Sequence, residues 1–167
     1  MSIELIVLDV DGTMTNGRIS YSESGDEIKS FNVKDGLGIV SWMRLGKKVA
    51  IITGRKSAIV SRRAKELGIE YCYQGIKDKK TKLEELLTKL DITQEQVATI
   101  GDDLNDYTMI KNSAISFVPN DAVSAVEKIA TVVLRSRGGD GAIREMIEYL
   151  IEKEGLTKEF EKIWAVD

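Results

Sequence analysis

Asp9 and Asp11 stand two residues apart at the end of the largely aliphatic run Ile3-Glu4-Leu5-Ile6-Val7-Leu8, and Gly12 follows them. Side chains alternate along a strand, so this spacing puts both carboxylates on one face if the extension persists that far. Unpaired buried charge is costly, so two acids delivered to the end of a buried strand suit nucleophilic or general acid–base work. A solvated turn carrying two incidental acids is the competing reading. Further polar groups recur at comparable places. Thr53-Gly54-Arg55 follows Val49-Ala50-Ile51-Ile52, Lys79 opens an amphipathic stretch, and Asp102-Asp103-Leu104-Asn105-Asp106 follows a fourth apolar run.

Taken singly, each has a plain structural explanation. Thr53 suits a helix cap, Lys79 a solvated lysine, and Asp102-Asp103 the acids that a helix dipole favours. Asp9 with Asp11, Thr53, and Asp102 with Asp103 fall at the carboxyl ends of the first, second and fourth strands, where open α/β sheets place their ligand crevice, and the loop before Lys79 lies on that same edge. Several like charges in one crevice need a cation. Histidine is absent, which removes His-based triads and His-ligated metals. Oxygen ligation of a hard ion remains, most naturally Mg²⁺, with Lys79 as a further counter-charge.

The elements that must position these groups read as an alternation of strands and helices. Apolar runs at 3–8, 48–53, 70–73, 96–101, 114–118 and 131–134 read as strands, and 18–21 with 27–31 as a hairpin around Ser22-Glu23-Ser24-Gly25-Asp26. Helices are expected over 35–45, 56–67, 79–90, from 107, over 121–129 and over 142–153, the last opened by Gly138-Gly139-Asp140-Gly141, with a charged tail after it. Such alternation predicts a parallel α/β sheet flanked by helices. Residues 1–167 are expected to form one domain, with a hairpin insertion at about 18–31 and a tail at about 155–167.

Composition narrows the class. The chain has 167 residues, 43% hydrophobic and 31% charged, with a net charge of −3, as expected of an ordinary globular protein. No basic block stands out, so nucleic acid is not an expected partner. The single cysteine, Cys72, excludes an intrachain disulfide and suits a reducing compartment. With neither a leader-like segment nor a long apolar span, no membrane is expected and the location reads as cytoplasmic.

Asp9-Val10-Asp11-Gly12-Thr13, Thr53-Gly54, Lys79 and Gly101-Asp102-Asp103-Leu104-Asn105-Asp106 resemble, in order and spacing, the four motifs of the haloacid dehalogenase (HAD) superfamily of phosphatases. The hairpin, Phe31-Asn32-Val33-Lys34-Asp35-Gly36-Leu37-Gly38, Tyr73-Gln74-Gly75 and Gly138-Gly139-Asp140-Gly141-Ala142-Ile143-Arg144-Glu145 resemble a narrower group, the 3-deoxy-D-manno-octulosonate 8-phosphate (KDO 8-phosphate) phosphatases. Close kin of that group act on nine-carbon sialic-acid-type 9-phosphates. Thr13-Met14 stands where the subfamily usually has Val-Leu, and Asn16 where it usually has Asp; neither change removes a catalytic group.

The resemblance implies a HAD-like Rossmannoid fold in which Asp9 is the nucleophile that forms an aspartyl-phosphate and Asp11 is the general acid and base. Thr53 and Gly54 would meet the phosphoryl group, and Lys79 would stabilise its charge. Mg²⁺ would be held by the Asp9 carboxylate, the Asp11 backbone carbonyl and Asp102, while Asp103 and Asp106 orient its waters and Lys79. Arg55, with Arg63 and Arg144 as further candidates, would meet the sugar carboxylate. The expected substrate is KDO 8-phosphate, and a nine-carbon sugar-acid 9-phosphate is the alternative.

Two readings from other classes are a phospho-acceptor signalling domain and a non-catalytic HAD relative. The first normally places its acceptor after the third strand, where this chain has Gln74-Gly75; against the second, no motif residue is missing. The intervals from Asp9 to Thr53 and from Thr53 to Lys79 are too short for a separate cap domain, so the fold is expected to be capless. A lone subunit would leave its site open to water, so a homotetramer is expected, its hairpins packed together. Each site would be roofed by a neighbour's glycine loop or by its tail around residues 160–164.

Overall fold

Runs that are apolar at every position can be satisfied only by a strand covered on both faces, and this requirement organises the chain. The computed structural model describes residues 2–166. Its first part contains β1 (Leu5–Leu8), β2 (Ser20–Tyr21), β3 (Glu27–Ile28), α1 (Val33–Arg44), β4 (Lys48–Ile52), α2 (Ala58–Leu67), β5 (Tyr71–Tyr73) and α3 (Lys79–Leu90). The remainder contains β6 (Val97–Ile100), α4 (Tyr107–Lys111), β7 (Ile115–Val118), α5 (Ser124–Glu127), β8 (Val132–Val133), α6 (Ala142–Lys153) and α7 (Thr157–Ile163).

Six strands form one sheet in the order β5-β4-β1-β6-β7-β8, every pairing parallel. β2 and β3 form a separate antiparallel pair. The expected HAD-like α/β fold is therefore the one observed.

Alternation sorts the strand residues between two apolar layers. Leu5, Val7, Ala50, Ile52 and Val97 pack under Leu83, Leu86 and Leu87 of α3 and Met109 of α4. Ile6, Leu8, Ile51, Ala98 and Ile100 face Ile39 and Trp42 of α1 and Ile143, Met146 and Ile147 of α6. β1 lies between β4 and β6, with Leu8 level with Ile51 on one side and Ile100 on the other. The chain turns first to β4 and β5 and then crosses to β6, so the ends of β1 and β6 flank the point where ligands collect in such sheets.

Two segments differ from the reading of the sequence. The helix expected over 121–129 is confined to Ser124–Glu127. The Asp121 carboxylate accepts from the Gly138 N–H at 3.0 Å, and the Val123 N–H donates to the Asp102 carbonyl at 2.9 Å, which withdraws both residues from the helix. The tail forms α7: Phe160 packs against the layer beneath α6, the Trp164 indole N–H donates to Ser41 Oγ at 2.9 Å, and Arg44 stacks over the Trp164 ring at 4.6 Å. The last residue of the expected tail, Asp167, lies outside the described residues. Among the described residues no helix is long and apolar enough to cross a membrane.

Candidate active site

β1 carries its apolar register one residue further than its last ladder position, because the Asp9 N–H still donates to the Ile100 carbonyl at 3.1 Å. This pins the Asp9 backbone to β6 and delivers a carboxylate that is only 4% exposed to the carboxyl edge of the sheet. Lys79 arrives from across the edge as the first residue of α3, a helix started by the Asp78 carboxylate accepting from the Thr81 N–H at 3.1 Å. Lys79 is 1% exposed. Its ammonium donates to Asp9 Oδ1 and to Asp106 Oδ1, both at 2.5 Å.

Asp106 is held from behind. Its Oδ2 accepts from the Asp102 and Asp103 N–H groups at 2.9 and 3.2 Å. Asp102 receives the Thr13 hydroxyl at 3.1 Å. Asp103 turns outward, where its Oδ1 accepts from the Leu104 N–H at 2.7 Å and caps a short 3₁₀ turn. Thr53 is buried at the end of β4, its N–H on the Tyr73 carbonyl at 3.0 Å.

The loop after β1 needs glycine. Gly12 has φ +94°, and a Cβ there would lie 2.0 Å from Asp102 Oδ2, so only glycine lets this carboxylate come up beneath the loop. Gly138 and Gly139 press on the same loop: a Cβ on Gly138 would lie 1.8 Å from the Gly12 carbonyl oxygen, and the Gly139 N–H donates to the Thr13 carbonyl at 2.9 Å. The glycine loop thus braces the Asp9–Thr13 segment of its own chain.

The electrostatics call for more positive charge than Lys79 supplies. Burial and the neighbouring Asp106 push Asp9 well above the carboxylate range, and Lys79 offsets this only in part. Burial and Asp106 likewise raise Asp102 to about 6. Burial alone would lower Lys79, but the charges of Asp9 and Asp106 outweigh it and raise its pKa, so it stays an ammonium. Asp9, Asp102 and Asp106 each present an oxygen within 4.8 Å of the others. Three carboxylates against one ammonium, all donors oxygen, fit a hard divalent cation.

The Asp11 side chain takes a different direction from this cluster. It meets the Lys29 ammonium, and its Oδ2 lies 3.9 Å from Arg55 Nε. Arg55 is half exposed at the mouth. A Cβ on Gly54 would lie 3.4 Å from Asn105 Nδ2, which brings the second and fourth motifs together.

The two remaining arginine candidates are engaged elsewhere on their own chain. Arg63 lies 3.7 Å from Glu66 and over the Phe31 ring at 5.6 Å. Arg144 donates to Glu148 at 2.7 Å and lies over Phe160 at 5.9 Å.

Sequence reasoning missed Lys29 and Glu27. Hydrogen bonds to Asp11 and Glu27 outweigh the burial that would lower Lys29, so its pKa is raised; the hydrogen bond from Lys29 lowers Glu27. The available signal was their spacing of two within the stretch 27–31 read as a strand, which would place both on the face opposite Ile28.

The chain is similar to known proteins along most of its length. Residues 72–147 match the model of the haloacid dehalogenase-like hydrolases. The KDO 8-phosphate phosphatase KdsC of Escherichia coli is 40% identical over 158 residues, 95% of this chain and 84% of that protein. A crystal structure of a probable YrbI family phosphatase from Pseudomonas syringae superimposes with a TM-score of 0.95 at 43% identity, covering 98% of this chain and 93% of that one. The KDO 8-phosphate phosphatase of Moraxella catarrhalis, solved with magnesium, phosphate and KDO, gives a TM-score of 0.94 at 38% identity over 97% of this chain and 93% of that one. With the acids, the lysine and the sheet edge all in place, the chain belongs to the KDO 8-phosphate phosphatase family of haloacid dehalogenase-like hydrolases.

Proposed function

We propose that this chain is a Mg²⁺-dependent phosphatase of acidic keto-sugar phosphates, with KDO 8-phosphate as its substrate. The observation that carries the reading is the buried Asp9, tied to Lys79 at 2.5 Å within a cluster of acids one cation short of balance. Identity of 40% to a KDO 8-phosphate phosphatase supports the choice of substrate.

Asp9 attacks phosphorus in line with the ester bond. As the P–O bond to the sugar breaks, the departing oxygen takes a proton from Asp11, leaving phosphate on Asp9. Asp11, now a carboxylate, takes a proton from water as the water oxygen attacks phosphorus. The P–O bond to Asp9 then breaks and inorganic phosphate is released. Lys79 keeps Asp9 oriented and offsets charge on the phosphoryl oxygens, and Thr53 donates to one of them. Arg55 meets the sugar carboxylate, for which a planar guanidinium is suited. Asp9, Asp102 and the Asp11 carbonyl would hold Mg²⁺, which when bound would supply positive charge to offset that of the transferring group. Asp106 positions Lys79 from behind.

The reading extends to assembly as a homotetramer of single-domain subunits that share their active sites. Support comes from apolar residues exposed along the hairpin and the start of α1, with Tyr21 64%, Ile28 51% and Val33 79% exposed. It also comes from an active site buried at its phosphate end and open where Arg55 waits.

Phosphate release from KDO 8-phosphate and from nine-carbon sugar-acid 9-phosphates, with Mg²⁺ and with chelator, tests the function. Faster turnover of the 9-phosphates would reassign the substrate, and full activity under chelation would refute the metal. Sedimentation of a fully active monomer would refute the shared site.

A further inference from the structure

Lys29 lies outside the four motifs, on the hairpin, yet its side chain is fully buried and its ammonium ends on Asp11 Oδ1. Glu27, on the same face of the hairpin, approaches that ammonium from the other side at 3.0 Å. Arg55 completes the set, 3.7 Å from the same Glu27 oxygen and 3.9 Å from Asp11 Oδ2. The four charges alternate in sign around a ring. A lysine just past the end of β3, on so small a hairpin, would ordinarily reach for water. Burying its ammonium is tolerable only because two carboxylates meet it there. With one oxygen on Lys29 and the other facing Arg55, the Asp11 carboxylate has little freedom to rotate.

We propose that Lys29, seated by Glu27, is a positioning residue that fixes the Asp11 carboxylate where it meets the leaving oxygen of the substrate. The hairpin is then a working part of the active site as well as a surface for other subunits. This rests on the assignment of Asp11 as general acid and base. Lys29 keeps its proton throughout; it acts only through the orientation of Asp11. A sugar alkoxide is a strongly basic leaving group that must receive a proton as it departs, whereas a nitrophenolate departs with little help. Misplacing Asp11 therefore penalises the sugar ester selectively, an effect that a general loosening of the fold would not produce.

The test compares kcat/KM, which reports the steps through departure of the leaving group, for KDO 8-phosphate and 4-nitrophenyl phosphate with Mg²⁺ present. Misplacement of a catalytic group by about 1 Å costs roughly 100-fold, so Lys29→Met is expected to lower kcat/KM on the sugar ester by about 30- to 100-fold and on the aryl ester by less than about fivefold. Lys29→Arg, which keeps the charge, recovers part of the loss. Glu27→Gln, which loosens the ammonium from the far side, shows the same selectivity even where Lys29→Met fails to fold. In an Asp11→Asn background, Lys29→Met adds no further loss on the sugar ester. Equal losses on the two esters, an undiminished Lys29→Met enzyme, or multiplying losses in the double variant would overturn the Lys29 assignment alone. An Asp11→Asn enzyme with full activity would overturn the mechanism and this inference together.

Discussion

Removing the cation should cost stability in a pH-dependent way, because the acids around Asp9 repel one another when nothing divalent lies between them. Asp102 is raised from 3.8 to about 6 in the metal-free fold. Between those two values the folded chain keeps a proton that the unfolded chain has released, so metal-free stability falls as pH rises through the window and levels off above it. At about 1.4 kcal/mol per pH unit the full shift corresponds to about 3 kcal/mol. Partial solvent access at Asp102 brings the expected loss to about 1–3 kcal/mol, or roughly 2–10 °C in Tm for a chain of this length. Asp9 is raised in the same direction by burial and Asp106. Asp35 of α1, also raised by burial, accepts from the Arg144 N–H at the start of α6; it affects both curves alike and cancels in the comparison. Glu27 and Glu145 are lowered, so their contributions are complete above the ordinary carboxylate range. Thermal melts in excess Mg²⁺ and in chelator should therefore nearly coincide at pH 4.5 and separate progressively up to about pH 7. Asp102→Asn should flatten that separation. A Mg²⁺ effect of equal size at pH 5 and pH 7.5, or chelated protein that gains stability over this range, would refute the reasoning.

Asp9→Asn is expected to abolish phosphate release with an unchanged circular dichroism spectrum, since an amide cannot attack phosphorus; residual wild-type-like turnover would exclude Asp9 as nucleophile. Lys79→Met leaves Asp9 and Asp106 buried without their counter-charge and should cost about 3–5 kcal/mol in urea denaturation without metal, against which a loss below about 1 kcal/mol would count. Gly12→Ala should weaken Mg²⁺ binding by at least about tenfold, because its Cβ would lie 2.0 Å from Asp102 Oδ2. Gly46→Ala, at φ +82° with no atom within 4 Å of the added Cβ, should leave the affinity unchanged; titration calorimetry distinguishes the two.

Much of this protein was legible in its sequence because its strands are buried on both faces, and continuous aliphatic runs such as Val49-Ala50-Ile51-Ile52 have no other comfortable place. Groups placed directly after such runs inherit their position from the sheet, which is why Asp9, Thr53 and Asp102 could be assigned to one edge. What stayed hidden depends on segments that leave the sheet and return. Nothing local says that Lys29 comes back onto Asp11, because that contact is set by how the hairpin folds over the edge. The helix expected over 121–129 shrank for a related reason: Asp121 and the Val123 N–H are claimed by Gly138 and Asp102, partners distant in sequence.

The arginines teach a narrower lesson. Arg63 and Arg144 have acids at i+3 and i+4, Glu66 and Glu148, spacings at which helical side chains meet; Glu148 holds Arg144 at 2.7 Å, while Glu66 stays 3.7 Å from Arg63, whose buried Nε meets no hydrogen-bond partner among the described residues. Arg55 lies on a loop before α2 with no acid at such a spacing, and it reaches instead toward Asp11 and Glu27. A substrate-facing arginine is thus best sought where the helix around it offers no local partner. By that criterion Arg55 is the arginine we propose for the carboxylate of the sugar.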